Sequence, residues 1–191
     1  MGKKIAETAV KGRDKTEKYR IGISQKEANA ILIGLLGDNN QTMLRNIKSG
    51  EEVRLSKTSI GKLLSNSATK KSIDNGFTKE QHYAVASDID NLFVNSSMVL
   101  EHGDKKGHPH VFINRFAAPL HFDNAVAYIT IKETREPERT DKRIYTVELM
   151  EIKKFGGMLE TVRKNPLTNF PAPNFNDENI QQLFNAVTNN I

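Results

Sequence analysis

The order of apolar and polar positions divides the chain into a helical first half and a strand-rich second half. Ser24 and Glu27 form a capping box ahead of Ala28, Ile31, Leu32, Leu35 and Leu36, a helical stripe that stops at Gly37. Gly37 to Asn40 is a turn cluster, and Glu52 to Ser56 alternates as a strand does. Residues 58–65 place Ile60, Leu63 and Leu64 on one helical side. Thr78 to Gln81 is a second capping box, and Val85, Ala86, Ile89, Leu92 and Phe93 continue from it as one long amphipathic helix. Residues 101–109 read as a polar loop. Strands are predicted near 110–116, 125–133 and 143–152, with Ala127, Ile129 and Ile131 on one face of the second and Tyr145, Val147 and Leu149 on one face of the third. The charged segment Thr134 to Lys142 reads as their hairpin connection.

Helices followed by strands predict an α+β fold, with N-terminal helices packed on one face of a mostly antiparallel sheet and a further helix at the C-terminal end. Three regions are expected: an N-terminal arm and helix over 1–50, an α+β core over 51–155, and a Pro/Asn-rich linker with a C-terminal helix over 156–191. In that last helix Ile180, Leu183, Phe184 and Val187 share a face. The first twenty residues are charged and thinly apolar, as in a loose arm or frayed helix.

Composition narrows the chemistry. With no cysteine among 191 residues, disulfides, thiol nucleophiles and thiolate metal sites are excluded. No apolar run is long enough to span a bilayer, and Met1 to Glu7 lacks the apolar region of a secretory signal, so neither membrane nor export is expected. Lys and Arg number 28 against 23 Asp and Glu, a mild basic excess that suits a polyanion and equally suits ordinary solubility.

No Gly-rich phosphate loop or metalloprotease helix occurs, so candidate chemistry must come from the exposed side of the sheet. Tyr128, Thr130 and Lys132 alternate with the core positions of their strand, as Thr146 and Glu148 do on the next. With Arg115 they form a plausible floor for an anion; the competing reading is a solvated outer face. All five histidines lie between His82 and His121. Phosphodiester cleavage at neutral pH needs a base, an acid and cations: His102 or Glu148 fits the base, another histidine the acid, and Lys132 with Arg115 the clamp. His82 borders the apolar helical stripe and reads first as a core-edge residue with a satisfied hydrogen bond, and only second as a catalytic one. His108 and His110, one residue apart on an extended chain, point to opposite sides and make a poor metal pair. Lys57 and Thr58, just ahead of a helix, suit an anion only weakly.

From Val53 to Lys153 the chain resembles a large polyvalent protein-associated domain of phage and mobile-element proteins. The resemblance rests on Lys57–Lys62, Gly76–His82, Leu100–Asp104, Ile113–Pro119, Ile129–Glu133 and Ile144–Leu149. It implies a fold like the barnase–EndoU–colicin–RelE group, whose members are mostly metal-independent ribonucleases and often toxins. The positions it carries over are His82, His102, Arg115, Thr130, Lys132 and Glu148.

The expected function is therefore a metal-independent endoribonuclease-like domain acting on RNA in a host cytoplasm. No cofactor is expected, and a toxin role would bring a cognate inhibitor protein as a second partner. Lys57, Tyr128, Thr130 and Thr146 are the expected nucleic-acid contacts. The alternative is a catalytically inactive module of the same fold that binds nucleic acid or protein.

Overall fold

A computed structural model describes residues 15–135, 143–163, 181, 182 and 185. Residues 15–21 are helical (α1), followed by α2 (Gln25–Gly34) and the hairpin β1 (Gln41–Arg45) and β2 (Glu52–Ser56). Four short helices come next: α3 (Lys57–Leu63), α4 (Asn66–Asp74), α5 (Lys79–Ala86) and α6 (Ile89–Asn95). The remaining strands are β3 (Ser97–Gly103), β4 (Val111–Pro119), β5 (Ala125–Arg135) and β6 (Arg143–Lys154), and α7 (Phe155–Arg163) follows directly. They form one six-stranded sheet in the order β1-β2-β6-β5-β4-β3. Every neighbouring pair is antiparallel except β2 with β6, which pair in parallel at Arg54 and Thr146. The expected α+β class is the one observed. Residues 136–142 of the expected hairpin connection, and the apolar face of the expected C-terminal helix, lie outside the described residues, as do residues 1–14 of the expected arm.

The main core lies between the sheet and the helices of the first half. Val53, Leu55, Phe116, Ala127, Ile129, Ile131, Val147, Met150 and Ile152 supply the sheet side, and Leu32, Ile60, Leu63, Val85, Ile89 and Phe93 the helical side. Phe93 meets Phe116 edge to face at 5.1 Å, a geometry that adds about 1 kcal/mol to their area burial.

Several expectations are corrected. The single helix from Thr78 to Phe93 is two, α5 and α6, although its capping box forms as expected. The break is held by polar side chains: Ser87 Oγ donates to Ala84 O at 2.7 Å. The Asp88 carboxylate accepts from Tyr19 Oη at 2.5 Å, Lys15 Nζ at 3.2 Å and Asn91 Nδ2 at 2.9 Å. Met150, not Leu149, is the core residue, because a β-bulge between β5 and β6 pairs Thr130 with Leu149 and Ile131 with Val147, leaving Glu148 as the extra residue. β3 takes in only the first three residues of the expected loop, 101–103, and the turn that follows lies where the loop was expected; β1 and α4 have no apolar period that announces them. Helix α7 opens the stretch expected to be extended linker.

α4 is helical despite a nearly all-polar sequence because its polar groups bond inward. Ser65 caps it, and Thr69 Oγ1 donates to Ser65 O at 2.8 Å. Ser72 Oγ accepts the backbone N–H of Ile152 at 2.9 Å, and Asn75 Nδ2 donates to Ile152 O at 2.8 Å. The wholly buried His82 completes this arrangement. Its Nε2–H donates to Leu63 O at 2.8 Å, which leaves Nδ1 to accept from Ser72 Oγ at 2.8 Å. At the α1–α2 corner, Gly22 takes a left-handed φ of 83°, and a Cβ there would lie 2.5 Å from the Glu80 backbone carbon. Only glycine permits that approach.

Two predictions follow from this layer. Burial holds the His82 imidazole below its ordinary pKa, so the folded state disfavours its proton. Urea midpoints should be highest above about pH 6.5 and fall as acid carries His82 through its depressed folded-state pKa, because below about 6.5 the unfolded chain binds the extra proton. His82→Ala should cost about 3 kcal/mol, from the cavity and from stranding Ser72 and Leu63 O, and should flatten that acid limb. Gly22→Ala should cost at least about 2 kcal/mol in the same assay, through the positive φ and the clash with α5.

Candidate functional site

Cross-strand pairing determines which side chains share the sheet face turned away from the main core. One row runs His102, Ile113, Lys132, Thr146 and Arg54 across β3, β4, β5, β6 and β2. The next holds Leu100, Arg115, Thr130 and Leu149, and the third Ser97, Ala117, Tyr128 and Glu151. Lys153 follows opposite Val126. Period-two alternation explains this grouping: Ala127, Ile129 and Ile131 enter the core, which turns Tyr128, Thr130 and Lys132 to the other side.

Arg115 sits centrally. Its Nη1 donates to Thr130 Oγ1, and its guanidinium carbon lies 5.8 Å from the Tyr128 ring centre. Among the described residues no carboxylate is within ion-pair distance of it, and burial holds its pKa below the usual arginine range. His102 is 7% exposed and its Nδ1–H donates to Gly103 O at 2.7 Å, which leaves the Nε2 lone pair as the acceptor. Burial lowers its pKa, and the backbone bond opposes that only in part; Arg115 and Lys105 lower it further. The neutral imidazole is thus the form this environment favours.

The remaining expected residues divide. Thr146 and Lys132 pair directly across the ladder, and Thr146 Oγ1 donates to Glu148 Oε1 at 3.3 Å. Glu148, at the bulge, is held by Lys62 Nζ from α3 at 2.6 Å. Tyr128 is buried, with its hydroxyl unbonded among the described residues, and desolvation pushes it up to about 12. Lys57 is the exposed first residue of α3, whose cap is Ser56. His82 lies in the helical layer, with the sheet between it and Arg115. His108 Nδ1 pairs with Asp104 in the β3–β4 turn, so the histidines that stand close in sequence do not gather on this face. Among the described residues no three His, Asp or Glu side chains converge as metal ligands would.

The face is not bare. α7 lies across its Tyr128 end, where Phe155 and Met158 join Val99, Ala117, Val126 and Tyr128 in a second apolar cluster. Lys153 and Glu151, which sequence reasoning passed over, also belong to this end: Lys153 Nζ is 5.2 Å from the Tyr128 ring centre and 3.8 Å from Glu151 Oε1. Their alternation with Ile152 was the available signal, hidden by the bulge that reset the phase.

The model of large polyvalent protein-associated domain 3 matches residues 23–145, well over half of the chain. The chain belongs to that family. No curated protein and no solved structure matches it. The family match covers α2 to β5 and the first residues of β6, so His102, Arg115, Tyr128, Thr130 and Lys132 fall inside the domain while Thr146, Glu148 and Lys153 lie beyond it. No described helix is long and apolar enough to cross a membrane.

In this polyvalent protein-associated domain, the His102 ring protons should titrate below the ordinary histidine value of about 6.5 when followed by NMR. Arg115→Ala should move that titration upward by removing a nearby positive charge, while leaving His82, on the other side of the sheet, unchanged.

Proposed function

We propose that this domain is a metal-independent endoribonuclease-like module that holds RNA on the sheet face bearing Arg115, His102 and Lys132. The observation that carries the reading is Arg115. It is a half-buried guanidinium whose polar partner is a hydroxyl, set one ladder row from a neutral imidazole and an ammonium. Desolvating an arginine without a carboxylate is costly unless an anion completes it, and a planar fork of donors suits phosphate oxygens.

The chemistry would run as follows. His102 Nε2 takes the proton of a ribose 2′-hydroxyl, whose oxygen bonds to the adjacent phosphorus as the bond from phosphorus to the 5′-oxygen breaks. Arg115 and Lys132 carry the charge that builds on the phosphoryl oxygens, and the departing 5′-oxygen takes a proton from solvent. The product ends are a 2′,3′-cyclic phosphate and a 5′-hydroxyl. Thr130 and Thr146 are hydroxyl contacts to the backbone. An origin in phage or mobile-element proteins accords with the family's polyvalent association, and a toxin role with its inhibitor and work in a host cytoplasm are further parts of the same proposal.

A second reading, RNA binding without cleavage, is favoured by one feature. Glu148 is occupied by Lys62 and Thr146, and no second imidazole stands beside His102 on this face to serve as the acid.

Incubation with total RNA in EDTA separates the two readings. Cleavage to cyclic-phosphate ends that falls about 100-fold or more in His102→Ala and in Arg115→Ala is the expected result. Binding without cleavage, weakened about tenfold by Arg115→Ala and steeply by salt, would leave the binding module. Absence of both overturns the proposal.

A further inference from the structure

Resting on that reading of the same face, we infer that single-stranded RNA crosses the strands along one ladder row, from His102 past Lys132 to Arg54 and Met43, with the nucleotides 3′ of the cut over β6, β2 and β1. The row does not end at β6. Arg54 pairs with Thr146 on one side and with Met43 on the other. Val53 and Leu55 are wholly buried in the main core, so period-two alternation turns Arg54 to the face that holds Lys132. Met43 precedes the buried Leu44 and is 56% exposed on that same face. Neighbouring strands lie about 4.8 Å apart, so the row from His102 to Met43 covers about 24 Å across all six strands.

The side chains along this row change in kind at every step: imidazole, Ile113, ammonium, hydroxyl, guanidinium and thioether. The half-buried Lys132 and Arg54, two strands apart with Thr146 between them, suit backbone phosphates. Ile113 and Met43 offer apolar surfaces on which unstacked bases can lie, and a thioether is a favourable neighbour for an aromatic ring. A duplex keeps its bases inside and would leave both apolar groups without a partner, so the fit is to a single strand. Among the described residues no carboxylate is within ion-pair distance of Lys132 or Arg54. Glu148, beside this path, is bonded to Lys62 at 2.6 Å, and Glu52 stands opposite Arg45 across the ladder.

The geometry of displacement sets the polarity. The attacking 2′-oxygen and the departing 5′-oxygen lie roughly in line on opposite sides of the phosphorus. His102, which takes the 2′-proton, stands on the edge strand β3, while Arg115 and Lys132, which hold the phosphoryl oxygens, stand on β4 and β5. The 5′-oxygen therefore leaves toward β6, and it belongs to the nucleotide 3′ of the cut. The rest of that 3′ segment meets Thr146, Arg54 and Met43, whereas on the 5′ side the sheet ends at β3.

Oligonucleotides with one ribonucleotide in an otherwise 2′-deoxy strand fix the cut, because only that residue carries the attacking hydroxyl. Lengthening them 3′ of it should raise kcat/KM about tenfold, and lengthening them 5′ should not. Arg54→Gln and Met43→Ser should each remove most of the 3′ gain without lowering the melting temperature. A 5′ gain as large as the 3′ gain, or a 3′ gain that survives both substitutions, overturns the track and leaves the ribonuclease reading standing. If RNA is bound without being cut, anisotropy of a fluorescein-labelled single-stranded RNA decides the track. Arg54→Gln should then weaken binding about tenfold and lower the salt slope by about 0.7, and unchanged affinity overturns it. Met43→Ser that alters the oligomeric state but not RNA affinity overturns the place of Met43 in the track and gives it to a second copy of the chain. A wild-type protein that neither cuts nor binds RNA overturns the reading and the track together.

Discussion

The fold depends on how the outer edge of β6 is satisfied. β2 pairs with β6 at a single position, Arg54 with Thr146, so the strand beyond it needs other partners for its backbone. Helix α4 supplies them through Ser72 and Asn75, which take the N–H and C=O of Ile152. His82 fixes Ser72 in turn and ties it to the end of α3 at Leu63. One strand and three helices are thereby held by a neutral imidazole, and an edge that would invite another chain is closed by side chains rather than by a strand. That work is done in the helical layer, on the side away from Arg115.

Because the helices occupy one face, the alternation of β5 must present Tyr128, Thr130 and Lys132 on the other. The bulge at Glu148 lets β6 keep Val147 and Met150 in the core while the strand gains a residue, and it releases the Glu148 side chain to Lys62. At the bulge the Glu148 carboxylate is shared between Lys62 and Thr146, the cross-strand partner of Lys132. On that face no carboxylate among the described residues lies within ion-pair distance of Arg115, Glu151 acts on it only from farther off, and burial favours the neutral form of His102.

Among the described residues, each side of the sheet holds one buried side-chain atom without a partner, Asn114 Oδ1 on the helical side and Tyr128 Oη on the other. On the helical side, His82, Asn46 and Asp88 are well bonded: Asn46 Nδ2 reaches Phe93 O at 2.6 Å and Ser96 O at 3.0 Å, and Asp88 receives three donors, whereas Asn114 uses only its Nδ2, on Glu133 at 3.3 Å. On the other, the Tyr128 hydroxyl is buried, and the half-buried Arg115 guanidinium bonds the Thr130 hydroxyl. Structural polar groups are normally satisfied within the chain, and Asn114 Oδ1 and Tyr128 Oη are the exceptions among the described residues.

Much of this was legible in the residues themselves. The N-cap at Ser24, the capping box at Thr78 and the alternation of Ala127, Ile129 and Ile131 determined helices, strands and the α+β class, because caps and periods act over a few residues. They also determined that Arg115, Thr130 and Lys132 share a face, given antiparallel neighbours. Tertiary structure alone decided the rest. α4 and β1 are polar segments stabilised by partners distant in sequence, so no local period betrays them. The break at Asp88 is set by Tyr19 and Lys15, some seventy residues earlier. Leu149 and Met150 exchanged roles through a bulge that local sequence does not encode. His82, a borderline residue in the helical pattern, became a buried linchpin, because only the folded chain brings Ser72, Leu63 and Ile152 to its ring.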